Sequence, residues 1–213
     1  MKKTHIRKFY VLAGIIIFML LITSMCIYII MPRGCPLEIN KAHELYSFIE
    51  DGDIICRLAN RFWSELFSNL SVTDKRFSHM GIIRIHNGIA TVIHAEGSTG
   101  NGTDYVSEVP LDEFLQVARR IGIYRINNSD AGKISQTAID YVGIPFDWQF
   151  DMDDESKLYC TELLYVILKR IMPDIKLDTV HYKKSEKEII PLEAVSNSEY
   201  FSEIYFNDGT IGF

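Results

Sequence analysis

The feature that most restricts the fold is the dipeptide Asn87-Gly88, set between two β-rich runs. These are Ser78-His79-Met80-Gly81-Ile82-Ile83-Arg84-Ile85-His86 and Ile89-Ala90-Thr91-Val92-Ile93-His94-Ala95-Glu96. Asn-Gly suits a two-residue type I′ turn, which needs positive φ at both central positions. A loop that short fixes the register, so that His86 pairs with Ile89 and the positions of every later pair sum to 175. Counting outward places Ile85–Ala90, Ile83–Val92, Gly81–His94 and His79–Glu96 on one face. The apolar members make that face the buried one, and it ends with an imidazole opposite a carboxylate. Directly paired residues have Cβ atoms about 4.5–5.5 Å apart, within reach of a side-chain hydrogen bond. A carboxylate on one ring nitrogen fixes the tautomer and leaves the other nitrogen as a base. His94 shares the face, diagonal to His79, and is a substitute base; His86, at the hairpin tip, is expected to be solvated.

Such a pair calls for a nucleophile. Cys160 stands just before the apolar run Leu163-Leu164-Tyr165-Val166-Ile167-Leu168. That position puts it near a helix start, where backbone N–H groups and the helix dipole favour a thiolate and offer an oxyanion donor. The bland alternative is a small apolar residue packed beside a helix. Tyr159 is a candidate phenol beside the oxyanion, although an aromatic residue before a helix more often serves packing. Asp147 and Asp151 are candidates for contact with a cationic substrate group or for capping the helix, as are Asp153 and Asp154. A divalent cation among these aspartates is the least favoured reading, because no fixed ligand spacing is present. No metal and no cofactor are expected.

A second constraint lies at the N-terminus. Residues 9–31 form 23 consecutive positions without a charge, enough to cross a hydrocarbon core of about 30 Å as a helix. A cleaved signal has a shorter apolar region and a small-residue cleavage site, so a retained anchor is expected. Lys2, Lys3, Arg7 and Lys8 precede the span, which keeps residues 1–8 cytoplasmic and puts residues 32–213 on the extracytoplasmic side. Taking those four positive charges from the net −6 leaves −10 for everything after Met31. A domain that acidic repels phosphate backbones, and nucleic acid is excluded as a partner. Cys35, Cys56 and Cys160 are an odd number for an oxidising compartment, so one of them stays a thiol. A Cys35–Cys56 bridge is compatible with this but not required.

The exported part shows no repeat and no linker. Helices are expected over 37–49, over 61–70 with Phe62, Trp63, Leu66 and Phe67 as the apolar face, and over 111–121 with Gly122 as stop. Two more are expected over 131–142, ending at Gly143, and over 163–172, ending before Pro173. Strands are expected over 53–58, 123–126, 189–195 and 200–206. Asp53 is expected to bond at the start of its strand, and 183–188 to form a solvated turn.

Five segments in order resemble a known family: Gly52-Asp53-Ile54-Ile55, Phe77-Ser78-His79-Met80-Gly81-Ile82, Val92-Ile93-His94-Ala95-Glu96, Gly143-Ile144-Pro145-Phe146-Asp147 and Tyr159-Cys160-Thr161-Glu162-Leu163-Leu164. Spanning roughly residues 50–170, they resemble the permuted papain-fold cysteine hydrolases of the NlpC superfamily, in particular the YiiX/YebB-like group. The order histidine, acidic residue, cysteine is the permuted one. The resemblance implies an α+β domain in which a small antiparallel sheet packs on the cysteine-bearing helix. It further implies that Cys160, His79 and Glu96 form a triad acting on an amide or ester carbonyl, in a cell-wall peptide or another amide. The alternatives are a lipid-directed acyltransferase or lipase of the same fold, and a non-catalytic binding module.

Overall fold

The computed structural model of the protein describes residues 2–31, 42–97, 104–127, 131–181 and 187–208. In chain order its elements begin with α1 (Lys2–Ile30), α2 (Ala42–Leu45), β1 (Ile54–Ala59) and α3 (Phe62–Ser68). Next come β2 (His79–His86), β3 (Ile89–Glu96), β4 (Tyr105–Pro110), α4 (Leu111–Leu115) and β5 (Ala118–Ile126). Then follow α5 (Ala131–Ala138), a 3-10 turn (Ile139–Tyr141), α6 (Cys160–Ile171), β6 (Val180–His181), β7 (Glu188–Ile189), α7 (Glu193–Ser196) and β8 (Phe201–Asn207).

Six strands form one sheet in the order β4-β3-β2-β1-β5-β8, and every neighbouring pair is antiparallel. The hairpin sits near one edge and is built as its turn dictates. Asn87 and Gly88 have φ of 51° and 77°, and the ladder runs from His86↔Ile89 to Ile82↔Ile93 in the expected register. One face of the sheet carries Ile54, Met80, Ile82 and Ile93 and packs against α5 and α6. The opposite face carries Ile55, Ile83, Val92 and Ile123 and packs against Leu45 of α2 and Leu111, Phe114 and Leu115 of α4. Two cores therefore sandwich the sheet.

Several elements differ from the sequence reading. The helix expected over 111–121 stops at Leu115, and Ala118–Ile126 is a single strand. Ile121, Ile123 and Tyr124 pair with β1 on one side and β8 on the other, and that pairing outweighs local helical periodicity. Gly122 is thus no helix stop. It lies mid-strand, where an added Cβ would meet Phe77 Cζ at 2.5 Å. The strand expected over 189–195 is only Glu188–Ile189 followed by α7, because Pro191 supplies no N–H for a ladder. Of the helix over 37–49 only Ala42–Leu45 is seen, and residues 37–41, with Cys35, lie outside the described residues. Cys56 is a free, buried thiol. Of the 183–188 turn, residues 183–186 also fall outside them.

The fourth difference is one of orientation. Helix α3 forms as expected, but its buried residues are Ser64 and Ser68. Trp63 and Leu66, expected to face inward, are 42% and 46% exposed. At the N-terminus, Tyr10–Ile30 is long and apolar enough to cross a membrane.

Candidate active site

Cys160 opens α6, following an extended Tyr159 (φ −94°, ψ 171°). Both neighbours of the cysteine are tied to one residue: Thr161 Oγ1 donates to the Ile190 carbonyl (2.6 Å), and the Ile190 N–H donates to the Tyr159 hydroxyl (3.0 Å). Glu162 accepts the Tyr159 N–H at 3.3 Å, closing the first turn from the other side. Burial pushes the Glu162 carboxyl up to about 8, and its Oε1 is buried without a hydrogen-bond partner among the described residues.

The helix start was expected to favour a thiolate. The N–H groups of Met80, Thr161 and Cys160 itself do pull in that direction, but burial outweighs them and pushes the Cys160 thiol up to about 11. The resting sulfur is a neutral thiol.

The histidine pair is set by the hairpin. His79 Nε2 and His94 Nδ1 are 2.9 Å apart, and Phe114 of α4 packs on both rings at 5.8 Å and 5.2 Å between centroids. Burial, then the nearby Arg57 charge, hold His79 well below its usual range; burial, His79 and Arg57 do the same to His94. Both imidazoles are neutral at pH 7. His94 Nε2 is buried without a hydrogen-bond partner among the described residues.

Glu96 does not meet His79 as the pairing suggested. Its Oε1 accepts a hydrogen bond from Arg57 Nη2, and its Oε2 lies 3.9 Å from His94 Nδ1. Arg57 is paired with His79 across β1 and β2. It also donates through Nη1 to the Phe114 carbonyl (2.6 Å) and lies 4.2 Å from the Phe114 ring centre. The reason for the exchange is electrostatic. A buried guanidinium without a counter-charge costs several kcal/mol, whereas a neutral imidazole is satisfied by a neutral neighbour. Glu96 therefore turns to Arg57 and the diagonal His94 takes its place at His79. Arg57 was missed in the sequence, although a charged residue closing the apolar run Ile54-Ile55-Cys56 was a signal.

Cys160, His79, His94, Glu96 and Arg57 line one cavity of about 270 Å³. Its wall also carries the aromatic side chains Trp63, Phe67, Phe114, Phe146, Trp148 and Phe150, among smaller and polar residues. Tyr159 lines it too, but its hydroxyl oxygen is occupied by Ile190. Asp147 and Asp151 are not in the wall. Asp147 is buried and accepts the N–H groups of Gln149 and Asp151, while Asp151 pairs with Lys187 at 2.8 Å. Asp53 bonds the Glu50 N–H and Arg125, as a strand-start residue would. His86 is exposed.

Comparison with known proteins places the chain in a family. The uncharacterized protein YiiX of Escherichia coli strain K12 is 26% identical over 130 residues, which cover 58% of this chain and 59% of that relative. The match thus spans about three-fifths of the relative's length. The crystal structure of the metalloprotein yiiX from Escherichia coli O157:H7 superposes with a TM-score of 0.62 at 17% identity, covering 75% of this chain and 98% of that one. That likeness is one of fold. A family model for permuted papain-like amidase enzymes matches residues 48–194 and so takes in both histidines, Glu96 and Cys160. The model covers well over half of the 213 residues, and the chain accordingly belongs to the permuted papain-like amidase family, YaeF/YiiX, C92.

Proposed function

We propose that the protein is a membrane-anchored cysteine hydrolase acting on amide or ester carbonyls, with Cys160 as nucleophile and His79 as base. The observation that carries this reading is the shared cavity, whose wall includes the thiol and the bonded histidine pair. For His79 Nδ1 to accept a proton, His79 Nε2 must carry one and donate it to His94 Nδ1; His94 then keeps its own on Nε2. His94 is thus the residue that orients the base. Glu96 lies 3.9 Å from it and offsets positive charge as it develops on the pair.

Catalysis starts from a neutral thiol and a neutral imidazole. As the sulfur attacks the carbonyl carbon, its proton passes to His79, and the carbonyl oxygen takes the negative charge facing the Cys160 N–H. Collapse breaks the bond to the leaving amine or alkoxide, which takes the proton from His79, and leaves an acyl thioester. Water attacks the thioester with His79 again as base, releasing the acid and restoring the thiol. We place this domain outside the cytoplasmic membrane, anchored by Tyr10–Ile30 with the basic residues 2–8 inside. A cell-wall peptide is the substrate we propose. An acyl-lipid substrate is the second reading, favoured by the aromatic side chains Trp63, Phe67, Phe146, Trp148 and Phe150 in the cavity wall.

The test is labelling of the full chain with an electrophilic amide probe. Labelling is expected to vanish in Cys160→Ala, to fall by about 10²-fold or more in His79→Ala, and to persist in Cys56→Ala. A label on Cys56 would overturn the assignment.

A metal is also to be considered, because the structurally similar yiiX is a metalloprotein. His79, His94 and Glu96 offer ligand atoms that lie within 4.8 Å of one another. Two neutral imidazoles and a carboxylate are a suitable donor set for a zinc-like ion, although Arg57 already holds one carboxylate oxygen. A bound ion would supply Lewis-acid chemistry. It would also occupy the base, so chelation is expected to raise Cys160 labelling.

A further inference from the structure

Helix α3 carries its aromatic side the wrong way for a core helix. At helical spacing Phe62, Trp63 and Leu66 share one side and Ser64 and Ser68 the other. The serine side is buried, while Trp63 is 42% and Leu66 46% exposed. Trp148, 49% exposed, stands on the wall of the same cavity as Trp63. Two large indoles thus lie open on the wall of the cavity that holds Cys160, and Leu66 is exposed on the same side of α3 as Trp63.

The neighbour of this patch is the apolar helix. Tyr28 of α1 makes an edge-on ring contact with Phe62 at 5.9 Å and 66°, and Phe62 in turn meets Trp63 at 5.3 Å. Tyr28 lies two residues before the end of the span Tyr10–Ile30. At 1.5 Å rise per residue that is about 3 Å from the end of a segment roughly 31 Å long. Tyrosine and tryptophan are favoured at that depth, where an apolar ring and a polar tip meet lipid and water together. Phe62 touches a ring at headgroup depth, and Trp63 follows it in the same turn. Arg61, exposed just before α3, adds a cation next to this patch of the kind that pairs with phosphates.

We infer that α3 is an interfacial helix that lays Phe62, Trp63 and Leu66 into the headgroup region of the bilayer that α1 crosses, so that the Cys160 cavity opens onto the membrane surface. This rests on the anchor proposed above. The hydrolase then works on molecules held in or at the membrane plane. A diffusing soluble peptide would meet a mouth turned from it.

The chain contains its own probe, since it has two tryptophans, Trp63 and Trp148. The full chain is reconstituted in phosphatidylcholine vesicles, with acyl chains either plain or brominated near the carbonyl end. In Trp148→Phe the remaining emission, from Trp63, is expected to be blue-shifted and quenched by the brominated lipid. Adding Leu66→Glu should lift the helix and abolish the quenching. Should Trp148→Phe not fold, the unsubstituted chain compared with Leu66→Glu gives the same reading. Equal Trp63 emission in plain and brominated vesicles, from a chain that alkaline carbonate leaves in the membrane, overturns the docking and leaves the anchor standing. Release of the chain by carbonate overturns both. Cys160 labelling, read in parallel, reports on the hydrolase reading alone.

Discussion

A guanidinium buried like that of Arg57, 4% exposed, is stable only beside a carboxylate, and Glu96 is its ion-pair partner. Everything else about the site's polar contacts follows from that demand. With Glu96 committed, His79 is oriented by a neutral ring, and the two members of the His79–Glu96 pairing have different tasks. His94→Ala is therefore expected to lower kcat/KM by about 10²-fold or more, as loss of the correct tautomer does in other triads. Glu96→Gln is expected to cost about tenfold or less in rate but also about 1–2 kcal/mol of stability, by leaving Arg57 without its counter-charge. Steady-state kinetics with thermal unfolding of the two variants separates these effects; a larger rate loss in Glu96→Gln would return the orienting role to the carboxylate. His79, His94 and Glu96 were legible as one cluster because turn chemistry fixed their register. Which of them bond was not, since Arg57 arrives from a strand far away in sequence.

Among the elements, the hairpin holds the histidines only because its backbone comes close at Gly81. An added Cβ there would meet Val92 Cγ1 at 2.4 Å and His94 Cβ at 3.1 Å. Gly81→Ala is thus expected to destabilise the fold by about 1–3 kcal/mol through overpacking, and to displace His94. Urea unfolding and Cys160 labelling should fall together; normal labelling in a destabilised variant would show that His94 keeps its place. Helix α6 was legible from its apolar run, but the clamp that fixes Cys160 was not. Ile190 grips Tyr159 and Thr161 from 29–31 residues away, through a segment that reads locally as a strand. Helix α3 failed for a related reason. Periodicity finds an apolar face but does not say which neighbour covers it, and here the face turned outward is the aromatic one.

At the scale of the whole molecule, the buried titratable groups give stability a pH dependence with two limbs. His79 and His94 have folded pKa values well below the ordinary 6.5. Their contribution is fully present above 6.5 and is lost as pH falls through the folded values, because the unfolded chain gains protons first. Cys160 and Glu162 are raised, to about 11 and about 8. Their contribution is present below the ordinary values and lost as pH rises through the folded ones. The Tm of the full chain in detergent is expected to fall on the acid side, and replacing both histidines with glutamine should flatten that limb. An acid limb unchanged by the double substitution would mean that the carboxylates set it instead.

What the sequence by itself determined is what short-range chemistry controls. A long charge-free apolar run favours a helix, Asn-Gly between two strands favours a type I′ turn, and a two-residue loop leaves one register. The ordered motifs around residues 50–170 marked the permuted papain-like family for the same reason, since each is a local constraint. Tertiary structure alone decided the rest: that Arg57 claims Glu96, that His94 bonds His79, that burial holds Cys160 as a thiol, and that α3 shows its rings outward. Each of these depends on which charges and surfaces are brought together and removed from water, and that sum is made only when distant segments pack.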